Sequence, residues 1–226
     1  MLNQPELIDL SHTVEQGLVT YPGLPAPILS DHLSREESRK HYAAGTEFHI
    51  GKIEMVANTG TYLDSPYHRF ARGKDLADLP LSSLAALEGV VIRAAHRRER
   101  MIDARMFEGL DFAGKAVLIH TGWDRHWNTE RYFAGHPFLT GAAAEYLARA
   151  GARLVGIDSL NIDDMADGTR PVHTVLLGQD IPVVEHLCSL ERLPDRGFKF
   201  FAVPVKVRTL GTFPVRAFGL IEKPRG

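Results

Sequence analysis

A chain of 226 residues, 44% of them hydrophobic, is long enough to bury one sizeable core. Its 26 Lys and Arg against 28 Asp and Glu give a formal charge of -2, which leaves no broad basic face for a nucleic acid. Cys188 is the only cysteine, so no internal disulfide can form. No apolar run reaches the roughly 18 residues that cross a bilayer, and no charged-then-apolar leader opens the chain, so a cytoplasmic protein without a membrane partner is expected.

In chain order, β-branched and aromatic runs predict strands over 48–57, 90–94, 116–120, 154–158, 200–209 and 214–220. Between them, 80–87 and 103–108 read as short helices, and 140–150 as a longer one with Thr140 as N-cap and Gly151 at its stop. Strand 116–120, helix 140–150 and strand 154–158 make a right-handed crossover. The expected fold class is α/β, a single domain over 1–226 with a mixed or barrel-like sheet and flanking helices. Residues 11–46 and 121–139 lack periodicity, and irregular stretches of that length are functional or are ordered by a partner subunit.

The densest chemistry lies in Asn58-Thr59-Gly60-Thr61-Tyr62-Leu63-Asp64-Ser65-Pro66-Tyr67-His68. Gly60 permits a backbone turn closed to other residues, and Pro66 fixes φ between Asp64 and His68, so a carboxylate and an imidazole project from a rigid, non-helical segment. An imidazole near its ordinary pKa can take a proton from water and return it to a leaving nitrogen. Asp64 taken alone could merely cap the turn. Tyr62 and Asn58 carry donors able to meet a developing oxyanion, or Tyr62 simply fills volume. A second cluster, Trp123, Trp127, Tyr132, Phe133, His136 and Phe138, follows the strand end at Thr121-Gly122 and reads as the wall of a pocket for a flat apolar molecule. Arg97-Arg98-Glu99-Arg100 reads as a solvated turn and Cys188 as a small buried side chain. Asp163-Asp164-Met165-Ala166-Asp167-Gly168 is not a calcium loop, because Met165 holds a ligand position and Thr174 stands where a bidentate Glu belongs. No phosphate loop, nucleophile elbow or His-Glu-x-x-His helix occurs.

The 58–68 stretch resembles the signature of the cyclase family, which includes bacterial kynurenine formamidases and isatin hydrolases and runs His-x-Gly-Thr-His-x-Asp-x-Pro-x-His. Gly60, Thr61, Asp64, Pro66 and His68 match it, whereas Asn58 and Tyr62 replace two metal-binding imidazoles. Ile8-Asp9-Leu10-Ser11-His12 and Tyr21-Pro22-Gly23-Leu24-Pro25 are similar to the family's opening strand and pocket-covering loop. His173 and Glu185, within 170–177 and 181–187, match its second pair of metal ligands.

The resemblance implies a swivelling β/β/α fold and a homodimer or homotetramer. It also implies a hydrolase of an amide-type C–N bond in a small aromatic substrate, with arylformamidase action in tryptophan catabolism foremost. A lactone or cyclic-imide hydrolase, and a silent ligand-binding member, are the alternatives. His68 would be the general base and acid, with Asp64, Tyr62 and Asn58 beside it. Tyr21, Pro22, Trp123, Trp127 and His136 would bind substrate. Asp64, His173 and Glu185 would hold at most one divalent ion, zinc or manganese, a donor set that also suits iron; otherwise Tyr62 and Asn58 would stand in for the metal.

Overall fold

The computed structural model describes residues 4–222, so the extremes of the expected 1–226 unit, 1–3 and 223–226, lie outside the described residues. The strands are β1 Glu6–Asp9, β2 Ile28–Leu33, β3 Ile50–Glu54, β4 Tyr62–Asp64, β5 Leu87–Arg93, β6 Met101–Ile102, β7 Ala116–His120, β8 Phe138–Leu139, β9 Leu154–Ile157, β10 Val183–Glu185, β11 Phe198–Phe201, β12 Thr212–Pro214 and β13 Phe218–Ile221. The helices are α1 Arg35–Ser38, α2 Gly141–Arg149 and α3 Pro171–Gly178.

Nine strands form one mixed sheet in the order β1-β13-β11-β5-β7-β9-β10-β4-β12. Its centre, β5-β7-β9-β10, is parallel, and the strands on both wings pair antiparallel. A period of two sends successive side chains to opposite faces. In β7, Val117 and Ile119 meet α2 and α3 in one core, while Ala116 and Leu118 enter a second core on the other face. Burial on both faces is why 116–119 and 154–157 read as unbroken apolar runs.

The chain connectivity forces this sheet to curl. Strands β13 and β12 stand seven positions apart in the order, about 34 Å if flat at roughly 4.8 Å per strand. Yet only residues 215–217 join them, a reach of about 14 Å from Pro214 to Phe218. The two wings must therefore bend toward each other into a half-barrel. Hydrogen bonds from Leu10 N to Ala217 O (3.0 Å), Cys188 N to Leu10 O (3.0 Å) and Val215 N to Thr61 O (2.9 Å) seam them together.

The helix 140–150 occurs as α2, capped by Thr140 and ended at Gly151 with φ of 76°. It connects parallel neighbours β7 and β9 as expected. Segments 80–87 and 103–108 shrink to single 3-10 turns, Leu81–Ser83 and Ala104–Phe107, since β5 already starts at Leu87 and a neighbour claims its backbone. The strand predicted over 200–209 ends at Phe201, and 214–220 is two strands, β12 and β13, divided at the wing-to-wing crossing. The 48–57 run contributes only β3, which pairs with β2 from the supposedly irregular 11–46 stretch in a separate two-stranded arm.

Candidate active site

The site grows from the three-residue strand β4. Its register against β10 places Tyr62 opposite Glu185, and its register against β12 places Asp64 opposite Thr212. Directly opposed residues on adjacent strands share a face, so pairing alone aligns these four side chains while Leu63 turns into the core. The Tyr62 hydroxyl donates to Glu185 Oε2 at 2.7 Å, and the Thr212 hydroxyl donates to Asp64 Oδ1.

Gly60, at φ of 66°, makes the turn into β4. A Cβ there would stand 2.9 Å from Val14 Cγ2, so a side chain would strain the turn and displace Val14. Beyond Asp64, Pro66–His68 forms a 3-10 turn with Pro66 at its first position, where the missing N–H is harmless. The segment between carboxylate and imidazole is thus a tight helical turn, not the non-helical one expected. Gly211 lies against it so closely that a Cβ would meet His68 N at 2.5 Å.

Thr212 has one proton, already directed to Asp64, so its oxygen accepts from His68 Nδ1 at 2.9 Å. That contact fixes the neutral ring with Nδ1 protonated and leaves the Nε2 lone pair free. His68 Nδ1 is also 3.5 Å from Asp64 Oδ1.

His173 sits in the first turn of α3, nearly fully buried. Asp163, completely buried, accepts from Val172 N at 2.7 Å, His173 N at 3.1 Å and His173 Nδ1 at 2.6 Å. His173 Nε2 then faces Asp64 Oδ2 and Glu185 Oε1, each at 3.6 Å. Burial alone would discharge this ring, but the hydrogen bond to Asp163 and the nearby carboxylates of Asp64 and Glu185 push its pKa up to about 10. Burial raises Glu185 to about 7 against the pull of His173, while Ile162 N donates to its Oε1 at 2.7 Å. Burial works to raise Asp64 as well, yet His68, His173 and Thr212 together hold it below the usual range.

Behind Tyr62, His186 Nε2 lies 3.3 Å from the phenol oxygen, and the Tyr132 hydroxyl meets His186 Nδ1 at 2.8 Å. Burial drives His186 down to about 3, so it is a neutral link, and burial with the charges of Glu185 and Asp64 keeps the Tyr62 phenol protonated. Its single proton is committed to Glu185. The expected donation from Tyr62 to an oxyanion does not follow from this geometry; the phenol instead fixes a carboxylate.

Tyr21, Leu24, Asn58, Tyr62, His68, Arg69, Asn161, Arg170, His173 and Glu185 line a cavity of about 270 Å³. Of the expected substrate contacts, Tyr21 is on the wall, but Pro22, Trp123, Trp127 and His136 are not. Trp123 packs with Tyr132 and Leu160 in a satellite core, its indole donating to Tyr132 O at 3.0 Å. Trp127 stacks on His12 with ring centroids 3.9 Å apart, and His136 Nε2 engages Asp163 O at 3.1 Å. The polarity that suggested a pocket is spent on these internal partners.

The residues fit a divalent ion. Asp64 Oδ2 is buried without a hydrogen-bond partner, and the donor set mixes carboxylates with imidazole. One ligand atom each from Asp64, His68 and His173 lies within 4.8 Å of the others, a trio that has His68 where Glu185 was expected. Sequence reasoning missed Asp163, Thr212, Asn161 and both cavity arginines. Asp163 lay in the segment set aside as a failed calcium loop, and its spacing to His173 was the available signal.

A curled mixed sheet presenting a carboxylate–imidazole pocket at one wing defines an α/β fold with metal-competent hydrolytic groups. The chain belongs to the cyclase family, whose sequence model, Cyclase, matches residues 8–164. It is 26% identical over 214 residues to the kynurenine formamidase of Bacillus cytotoxicus, covering 94% of this chain and 96% of that protein. Its fold is similar to isatin hydrolase A from Ralstonia solanacearum, with a TM-score of 0.82 at 20% identity over 96% of this chain and 92% of that one. It is also similar to a structure described as a "Potential Metal-Dependent Hydrolase With Cyclase Activity", with a TM-score of 0.79 at 24% identity over 98% and 100% of the two chains. Among the described residues no helix is long and apolar enough to cross a membrane.

Proposed function

We infer that the protein hydrolyses an amide-type C–N bond in a small aromatic molecule, with an aryl formamide such as N-formylkynurenine as the leading substrate. The observation that carries this is the convergence on one cavity of the Asp64–Thr212–His68 relay and the Asp163-held His173. The kynurenine formamidase relatives support the bond type. The presence together of His68, Asp64, His173 and Glu185 weighs against a silent binding protein.

His68 Nε2 takes a proton from water as it adds to the carbonyl. The resulting imidazolium, beside Asp64, then returns the proton to the departing nitrogen, a role worth about 10²–10⁴ in rate. Asn58, on the cavity wall, supplies an amide donor to the substrate oxygen, and Tyr21 with Leu24 offers the flat apolar contact. Asp64 Oδ2, His173 Nε2 and Glu185 Oε1 would hold one zinc or manganese ion, which when bound polarises the carbonyl and acidifies water. The proximity of His68 to Asp64 and His173 favours a second ligand set, separable by the His68 variant described below.

Hydrolysis of N-formylkynurenine, isatin and small lactones by purified protein, with and without chelator, tests this reading. Turnover of isatin but no formamide would move the assignment to the cyclic-imide alternative, which the likeness to isatin hydrolases supports. Absence of turnover on all three would overturn it.

The β2–β3 arm exposes Ile28, Ile50 and Ile53, each about half exposed, with Phe48 beside it. Alternation along the strands puts Ile28 and Ile50 on one face of the arm and Ile53 on the other, and a second copy of the chain clasping both faces makes the protein a homodimer or a homotetramer. Analytical ultracentrifugation checks it, and a monomer at micromolar concentration would refute it.

A further inference from the structure

Two arginines border the same cavity as both imidazoles, and the reaction sketched above leaves them without a task. Arg69 directly follows His68, and Arg170 precedes His173 by three residues. The Arg69 Nε donates to Thr174 Oγ1 at 3.2 Å, which leans its guanidinium over the first turn of α3, the turn that begins at Arg170. Arg170 Nη1 donates to Asp164 O at 3.0 Å. Among the described residues, neither guanidinium has a carboxylate within 4.0 Å, although Arg93, Arg100, Arg208 and Arg216 do. The acid on the cavity wall, Glu185, is engaged by Tyr62 and Ile162.

The start of α3 is not itself the anion site. Its Val172 and His173 N–H groups are filled by the buried Asp163. What remains open to an anion is the pair of side chains. Arg170 is held there by a left-handed backbone, φ of 50°, a conformation that an L-residue adopts only at some cost in strain. Guanidinium presents its donors as a fork matched to a carboxylate.

Building on the proposed hydrolytic role, we propose that Arg69 and Arg170 form an anion-recognising rim, selecting aromatic substrates that carry a carboxylate on the ring, or on the side chain ortho to the scissile C–N bond. With its carboxylate paired to the arginines, such a substrate presents its reactive carbonyl toward His68. Orientation and selectivity then come from one contact.

The test compares formanilide, which is neutral, with N-formylanthranilate, which places a carboxylate on the same ring. Wild-type protein is expected to favour the anion in kcat/KM by at least about tenfold, equivalent to 1.4 kcal/mol. Arg69→Gln and Arg170→Gln should each reduce that ratio, mainly through KM, and Arg170→Lys should retain part of it. Equal kcat/KM for the two formamides in the wild type, or a ratio unmoved by all three variants, would overturn the proposal. Titration calorimetry with anthranilate gives an answer independent of turnover. Binding that weakens in the Gln variants supports the rim even if no formamide is cleaved, which would count against the hydrolase assignment alone; binding unchanged in both Gln variants, or none to wild type, overturns the rim.

Discussion

Asp163→Asn changes one oxygen to nitrogen at the group that holds His173. The native carboxylate accepts three bonds, from Val172 N at 2.7 Å, His173 N at 3.1 Å and His173 Nδ1 at 2.6 Å. An amide has one acceptor oxygen, so its NH₂ must confront at least one of those donors or force His173 into the other tautomer, with its proton on Nε2. Losing one bond to a buried charged acceptor costs about 1.5–3 kcal/mol. At about 2–4 °C per kcal/mol for a chain of this size, the melting temperature should drop by roughly 3–12 °C. Because Nε2 is the atom offered to an ion, affinity for zinc or manganese should fall about 10–100-fold, the range for loss of an orienting partner.

The same change alters the response to pH. His173 is raised from 6.5 to about 10, so its contribution to stability is fully present below pH 6.5 and disappears as pH climbs through about 10. Metal-stripped wild-type protein should therefore lose stability across that window, and metal-stripped Asp163→Asn should lose less. Calorimetric metal titration and melting curves between pH 6 and 10 supply the readouts. Folded Asp163→Asn protein with wild-type metal affinity and an unaltered alkaline slope would refute this account of His173.

His68→Ala should lower kcat by about 10²–10⁴ while metal content stays constant; loss of the metal with the imidazole would instead make His68 a ligand alongside Asp64 and His173. Tyr62→Phe removes the hydroxyl that reaches Glu185 Oε2, leaving that oxygen only the 3.5 Å contact from Asn161 Nδ2. Stability should fall by about 1–3 kcal/mol in chemical denaturation, and a silent substitution would show that the phenol only fills space. His12 is stacked on Trp127, and burial lowers its pKa to about 4, so folded protein should weaken as pH falls from 6.5 through about 4. His12→Phe keeps a ring against Trp127 and should flatten this acid limb, whereas an identical limb in the variant would assign it to other groups.

How much of this the chain reveals in advance depends on the range of the interaction. Helix 141–149 carries its cap and stop within a dozen residues, and β7 its apolar run within five, so both are legible. The turn at Gly60 and the Asp64–His68 spacing are local as well. Strands β4 and β10 have three residues each, too few to display a period of two, and they exist because they pair with one another. Thr212 stands 148 positions from Asp64, so no local pattern joins them. Aromatic composition around Trp123 could not distinguish a cavity wall from a satellite core; the internal bonds of Trp123, Trp127 and His136 decide between them.

Tyr62 and Glu185 belong to one physical arrangement. A phenol in that place is a donor that burial and the Glu185 charge keep protonated, so it binds a carboxylate rather than competing with it for a cation. His186 and Tyr132 extend the hydrogen-bonded chain behind it through neutral groups. On the opposite side, Asp163 keeps His173 facing inward, and Asp64 Oδ2 has no hydrogen-bond partner. One half of the pocket is thus framed by hydrogen bonds, and the other converges imidazole and carboxylate. That division leaves the converging half as the place where the proposed ion would be held.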